Sequence, residues 1–324
     1  MKVLVLYNNV LSVDKGEARD LVSAQGVAVA ARAVAEALRP NHEVVCLPVD
    51  YEPSEVLAEY DAREWVVFNL LEGLGNRADL EPEAAAALGK LGFRHTGNPP
   101  RAIAICLDKA RTKRMLESVN IPTPRYQVAD EPAVHIDVPL PAIVKPVAED
   151  ASLGIDDGAV VTSRDELGAR VEYVWRAYRQ PVLVEEFIEG REFNVALWGN
   201  GTPECLPLAE IDYSAFPDPL RRICSYAAKW EPEREEYHLT PVSCPADVDP
   251  PLAGRIRGVA MSAYEAVGCR GYARVDMRER DGEPYVLEIN PNPDISPDAG
   301  FPRAALAAGY DYQQMVERIL SLAV

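Results

Sequence analysis

Residues 272–290 read YARVDMRERDGEPYVLEIN, two alternating runs that meet around Asp281-Gly282. The pattern predicts strands over 272–279 and 284–290. Side chains two apart on a strand share a face, so Arg274 and Asp276 project together, as do Glu288 and Asn290, while Val275 and Ile289 point the other way. An odd-numbered loop centred on Gly282 would set Asp276 across from Glu288 and Arg274 across from Asn290. Four polar side chains then converge on one patch. Three oxygen-bearing side chains at that spacing suit a hard divalent cation, and Mg²⁺ in particular uses one or two carboxylates plus substrate phosphates. The adjacent guanidinium would complement a phosphate or a developing oxyanion. The competing reading is a solvated hairpin with one polar face. It is the weaker one, because Glu288 and Asn290 lead into a turn with no lysine nearby to balance them.

Towards the N-terminus, KVLVLY (residues 2–7) is a continuous apolar run suited to a strand covered on both faces. A helix over 24–38, strands over 42–47 and 65–68, and a helix over 81–91 with Pro82 in its first turn complete a small parallel α/β unit. The stretch TGNPP (96–100) is a boundary made of turn formers. Beyond it come a charged helix (108–119), a buried strand PAIVK (141–145), a Gly-containing loop (149–158) expected to be mobile and superficial, a helix (164–178) and strands over 181–187 and 192–198. Gly199-Asn-Gly201 turns the chain into 203–210. Residues 212–245 are polar, Pro-punctuated and aperiodic, as expected of a lid. A helix (251–267), the paired strands, a Pro-rich turn and a helix (312–322) close the chain. The expected domains are 1–98, a substrate-binding parallel α/β unit, then 99–180 and 181–324.

Of 324 residues, 33 are Lys or Arg and 51 Asp or Glu, a net charge of -18. Such a surface is a poor match for nucleic acid or anionic lipid. No apolar run approaches the roughly 20 residues of a spanning helix, and the start MKVLVLYNNV has no secretory pattern, so a cytoplasmic location is expected. The six scattered cysteines suggest reduced thiols, with neither a zinc site nor a disulfide framework.

Lys145 ends a buried strand just before the Gly-containing loop, where an ammonium is costly unless an anion meets it. Lys109 and Lys113 share a helix face. In LVEEFIEGRE (183–192), a strand edge could pair with an adenine edge and a carboxylate could accept from ribose hydroxyls, although alone the run reads as an acidic turn.

Taken in order, LDKARTK (107–113), PAIVKP (141–146), the Gly loop, VLVEEFIEGREF (182–193), AAKW (227–230), GYARVDM (271–277) and VLEINPNP (286–293) resemble the ATP-grasp superfamily, and within it the D-alanine–D-alanine ligase branch. The likeness spans essentially the whole chain, including FNLLEGLG (68–75) and HTGNPP (95–100). It implies a three-domain α/β architecture, α+β in the ATP-grasp units, with ATP between the central and C-terminal domains. It further implies Lys109 and Lys145 on the phosphates, Glu185, Glu186, Phe187 and Ile188 along the adenine, and Glu192 on the ribose. Asp276, Glu288 and Asn290 would hold two Mg²⁺ ions, or Mn²⁺ in their place. The implied catalytic groups are Arg274 on the oxyanion, Lys229 reaching the phosphates from the lid, and Ser152 of the Gly loop. In that chemistry a carboxylate takes the γ-phosphoryl group as an acyl phosphate and an amine then displaces phosphate, through positioning and charge neutralisation. Closure of the Gly loop and the lid would exclude water. Relatives of this kind are commonly homodimers, and the partners are otherwise small carboxylates and amines.

The chain departs from the branch around both substrates. The usual EGSSVG is EDASLG (149–154), with Ala151 for the first serine, and the tyrosine after the lid lysine is Trp230. The glycine and serine that receive the second D-alanine's carboxylate are Asp294 and Ala299, and a first-domain histidine is Glu72. An anionic Asp294 would repel a carboxylate, and lost hydrogen-bond partners change discrimination strongly. These changes favour a carboxylate–amine ligase whose substrates are not two D-alanines. A D-alanine–D-alanine ligase and an ATP-binding regulatory or kinase-like relative are the alternatives; Asp294 weighs against the first and the intact Arg274, Asp276, Glu288 and Asn290 against the second.

Overall fold

The computed structural model describes residues 1–9, 26–75 and 77–324. Residues 24 and 25 of the expected first helix lie outside the described residues; the rest is the helix Val27–Leu38. Among the described residues there are three sheets.

The first is parallel, in the order β2-β1-β3-β4, from β1 (Lys2–Asn8), β2 (Glu43–Val49), β3 (Trp65–Leu70) and β4 (Arg94–His95). Val3, Val5 and Phe68 pack on one side with the helix Val27–Leu38, and Leu4, Leu6 and Val67 fill a second core on the other. Burial on both sides explains why β1 is continuously apolar. The C-terminal helix Tyr312–Ser321 packs into the first of these cores, beside Trp198 and Tyr272.

The second sheet is antiparallel, in the order β5-β8-β6-β7, from β5 (Tyr126–Ala129), β6 (Ala142–Pro146), β7 (Val160–Val161) and β8 (Val182–Glu186). Val182–Glu186 was expected beyond a boundary at residue 180. It belongs to this sheet because it pairs with both β5 and β6, and Val182 and Val184 fill the core under the helix Arg164–Tyr178. The Gly loop is superficial only in part, with Asp150, Asp157 and Gly158 exposed. Ser152 is buried, and Gly154 lies so close to the Pro146 ring that an added Cβ would meet it at 2.7 Å.

The third sheet contains β9 (Arg191–Trp198), β10 (Glu204–Cys205), β11 (Ala209–Ile211), β12 (Val242–Ser243), β13 (Tyr272–Arg280) and β14 (Glu283–Pro291), with β9, β13 and β14 adjacent. Phe193, Val195, Leu197, Val275, Met277 and Ile289 pack with the helix Pro250–Val267. The alternate residues of these strands are left to the opposite face.

The expected register is present, Arg274 opposite Asn290 and Asp276 opposite Glu288, but it is reached differently. The connection is not an odd-numbered loop. It is a two-residue Asp281-Gly282 turn with both φ angles positive, 56° and 82°, closed by the pair Arg280 and Glu283. That is the geometry Asp-Gly favours in tight hairpins. The shift lies further along, where Asp276 faces Glu288 but Met277 faces Val286. Leu287 is thus the extra residue of a β-bulge.

The aperiodic stretch 212–245 contains two short helices, Tyr226–Trp230 and Glu235–His238, and the Pro-rich turn after β14 leads into an unanticipated helix, Gly300–Ala307. Pro302 sits in the first turn, where a missing N–H costs nothing. The expected boundary at 96–100 is firmly fastened. Asn98 has no exposed surface; its amide donates to the Tyr272 carbonyl (2.7 Å), its side-chain oxygen accepts from the Arg270 N–H (2.8 Å), and its own N–H donates to Asn292 Oδ1 (2.8 Å). Among the described residues no helix is long and apolar enough to cross a membrane.

Candidate active site

The polar face of β9, β13 and β14 forms one wall of a cavity of about 880 Å³. Asn194, Asp276 and Glu288 lie in one cross-strand row, and Arg274 and Asn290 in the next. The Asp276 carboxylate accepts from Arg274 Nε (2.7 Å) and Nη2 (2.8 Å), Asn194 Nδ2 (2.8 Å) and Asn290 Nδ2 (2.9 Å). Burial pushes the Glu288 carboxyl up, but Lys109, Lys145, Lys229 and Arg274 outweigh it and hold the group down at about 2. Two carboxylates and an amide on one face, with Glu288 kept ionised, fit a hard cation that completes its shell with phosphate oxygens.

Cationic groups face this wall. Lys109 Nζ lies 3.3 Å from Asp150 and 3.6 Å from Glu288, and donates to the Glu149 carbonyl. Lys145 does meet an anion, and it is internal: Glu185, fully buried, lies 2.7 Å from Lys145 and 2.9 Å from Lys113. Burial, reinforced by Lys145 and opposed by Glu185, lowers Lys113 to about 8. Lys229 lines the same cavity from the helix Tyr226–Trp230.

Glu185, Glu186, Phe187 and Ile188 all line the cavity, but the two carboxylates are committed elsewhere. Glu185 serves the lysines and Glu186 pairs with Arg280 at 2.8 Å. What this segment offers a base is therefore backbone and the Phe187 ring. Glu192 is held through one oxygen, Oε2, which accepts from Arg278 Nε (2.9 Å) and the Tyr213 hydroxyl (3.1 Å), so Oε1 is outside those contacts.

If the Lys145 ammonium meets the phosphates of ATP as well as Glu185, Lys145→Ala should weaken ATP by about tenfold or more while affecting adenosine much less. Glu192→Ala should weaken both ligands alike. Titration of each variant with ATP and adenosine checks this, and unchanged ATP affinity in Lys145→Ala would remove that lysine from the site.

The description "D-ala D-ala ligase C-terminus" matches residues 117–321, well over half of the chain. The chain belongs to the D-alanine–D-alanine ligase family. Among its relatives, the D-alanine–D-alanine ligase of Desulforudis audaxviator is 33% identical over 300 residues, 90% of this chain and 92% of that one. A Sinorhizobium fredii protein known as uncharacterized protein y4sG is 34% identical over 260 residues, 80% of this chain and 74% of that one. The crystal structure of the Bacillus anthracis D-alanine–D-alanine ligase complexed with ATP superposes with a TM-score of 0.77 at 22% identity, covering 99% of this chain and 97% of that one, and so shares the fold.

Within the D-alanine–D-alanine ligase family, this member's departures cluster in the same cavity. Ala151 and Trp230 meet: the indole N–H donates to the Ala151 carbonyl at 3.0 Å, where the usual pattern has two hydroxyls. Ser152 donates to the Cys224 carbonyl at 2.7 Å and the Tyr226 N–H to the Ile155 carbonyl at 2.8 Å, so three hydrogen bonds join the Gly loop to the lid. Asp294 lines the cavity and is held by Ser296, whose N–H (2.8 Å) and hydroxyl (2.7 Å) both donate to Oδ1. Ala299 precedes the helix Gly300–Ala307 without a side-chain cap. Glu72 lines the cavity as an exposed side chain; desolvation, then Asp294 and Asp150, raise it to about 8.

Glu81 also faces the cavity and was not legible beforehand, since it opens an ordinary helix in sequence. Burial raises it to about 8 despite a hydrogen bond from Asn292 Nδ2 at 3.0 Å. A carboxyl whose folded pKa is raised keeps a proton that the unfolded chain releases, so its contribution is complete below its ordinary value of 4.5 and is lost as pH rises through about 8. The unliganded protein should therefore lose thermal stability across that window more steeply than the Glu72→Gln/Glu81→Gln variant. Equal slopes in melting series would contradict this.

Proposed function

We propose that the protein is an ATP-dependent ligase joining a carboxylate to an amine that is neutral or cationic at the end where a second D-alanine would place its carboxylate. Asp294 carries this reading: it lines the cavity, at a position where the family pattern has a glycine. A carboxylate docked against it would meet its negative charge, whereas Glu72 and Glu81, raised to about 8, are neutral carboxyls near pH 7. In the reaction, a substrate carboxylate oxygen bonds to the γ-phosphorus as ADP leaves. The amine nitrogen then attacks the acyl carbon, loses a proton and expels phosphate.

Lys109, Lys145 and Lys229 would neutralise the phosphates, and Arg274 the charge that develops on the acyl oxygen. Asp276, Glu288 and Asn290 would hold Mg²⁺, which supplies charge neutralisation at the phosphates. The Trp230-to-Ala151 bond stands where the usual pattern has two hydroxyls, so the donor meets fewer hydroxyl partners and a less polar carboxylate is favoured.

D-alanyl-D-alanine synthesis is the second reading, supported by relatives named D-alanine–D-alanine ligase that cover most of the chain. Phosphate release with ATP, Mg²⁺ and single or paired amino acids separates the two. We expect little release with D-alanine alone and recovery with hydroxylamine or an amino-acid amide as acceptor. Efficient D-alanyl-D-alanine formation would establish the second reading.

A further inference from the structure

Arg278 follows Arg274 and Asp276 on the same face of β13, yet none of the roles above uses it. Its guanidinium is buried and engaged on every edge. Nε donates to Glu192 Oε2 at 2.9 Å, Nη1 to the Ile188 carbonyl at 2.9 Å, and Nη2 to the Arg222 carbonyl, while the plane lies over the Phe187 ring, 4.8 Å from its centroid. Tyr213 also approaches it, 5.7 Å from ring centroid to guanidinium, and donates its hydroxyl to the same Glu192 oxygen. These partners belong to three parts of the chain. Ile188 and Phe187 come from the segment along the base, Glu192 from β9, and Arg222 and Tyr213 from the lid.

We infer that Arg278 is the positioning residue of the nucleotide pocket: by holding Oε2 of Glu192 it aims Oε1 at the ribose, and by the same fork it ties the lid to the segment along the base. This rests on the placement of ATP proposed above. A planar guanidinium is suited to the task because its donors are fixed relative to one another, so three partners are oriented by one rigid group. Removing it would leave Glu192 with the Tyr213 hydroxyl alone and would free the lid at Arg222. The lysines and the Asp276 row touch none of these contacts.

The test is a double-mutant cycle on the full-length protein with Arg278→Met, Arg278→Lys, Glu192→Gln and the Arg278→Met/Glu192→Gln pair. Affinities for ATP and for adenosine are measured by calorimetry, and accessibility of the lid by limited proteolysis. Arg278→Met should weaken ATP and adenosine by the same factor, about tenfold to a hundredfold, which loss of phosphate contacts would not do. Adding Glu192→Gln should cost little more, because the arginine acts through that carboxylate. Cleavage within residues 212–245 should quicken in Arg278→Met and return partly towards wild type in Arg278→Lys. The lysine variant keeps the charge if the methionine variant does not fold. Losses that add in the cycle, or Arg278→Lys binding ATP as wild type does with an equally protected lid, would overturn the inference while leaving the nucleotide site in place. Wild-type protein that binds neither ATP nor adenosine would overturn both.

Discussion

The Asp294→Gly/Ala299→Ser variant should form D-alanyl-D-alanine at least about a hundredfold faster than the wild-type protein, with most of the gain in KM for the second D-alanine. Asp294 is exposed in the unliganded cavity, so the repulsion grows to on the order of a few kcal/mol only when the site closes over its ligands, and each 1.4 kcal/mol is about a tenfold change in affinity. Its orientation is set by Ser296, which holds Oδ1 through two donors. Glycine removes the charge. Serine at 299 restores a hydroxyl and suits the start of the helix Gly300–Ala307, so it should not cost stability. The same variant should lose preference for a cationic acceptor. Initial rates of dipeptide formation with D-alanine decide the matter, and equal rates in variant and wild type would show that Asp294 does not govern the acceptor.

Arg274→Ala should lower kcat by about two to three orders of magnitude while leaving ATP affinity nearly unchanged. Preorganised donors aimed at developing charge are worth about that much in other acyl-transfer sites. Arg274 is fixed for such a role by its two-pronged contact with Asp276, and that carboxylate retains the Asn194 and Asn290 amides when the arginine is removed. Arg274→Lys should rescue little, because an ammonium cannot reproduce the fork. Single-turnover rates with saturating ATP measure the effect. A kcat within threefold of wild type in Arg274→Ala would take the guanidinium out of the transition state.

The polar wall was largely legible because a strand's period is two: Arg274 and Asp276, and Glu288 and Asn290, had to share faces once both strands were assigned. The cross-strand pairing was less secure than it looked. A two-residue turn followed regularly would have set Asp276 opposite Leu287, and only the bulge brings Glu288 across. Bulges leave no clear mark in a single sequence. Arg278 was visible in principle, because RVDMR continues the alternation of RVD by one more step, and Asn194 similarly follows Glu192 on β9. Their partners are fixed by strand order, which the sequence does not state. Glu185 shows the opposite case. Its place in the acidic run suggested contact with a base, whereas its burial between Lys113 and Lys145 depends on a helix 72 residues away in the chain.

Asn98 bears on how the molecule can move. Together with the Asn292-to-Glu81 bond and the core shared by Phe68, Trp198, Tyr272 and the C-terminal helix, it welds the first and third sheets into one floor. Apart from the buried Lys113–Glu185 pair and the hydrogen bonds from the Gly loop to residues 212–245, the middle sheet meets its surroundings through small apolar patches, Ala110 with Val147 and Leu183, and Ala159 with Phe187 and Ile223. Small interfaces yield before large ones. Any opening that admits a nucleotide would thus fall to the middle sheet as a single jaw, against a floor on which Asp294 and the Asp276–Glu288 row would keep a constant spacing.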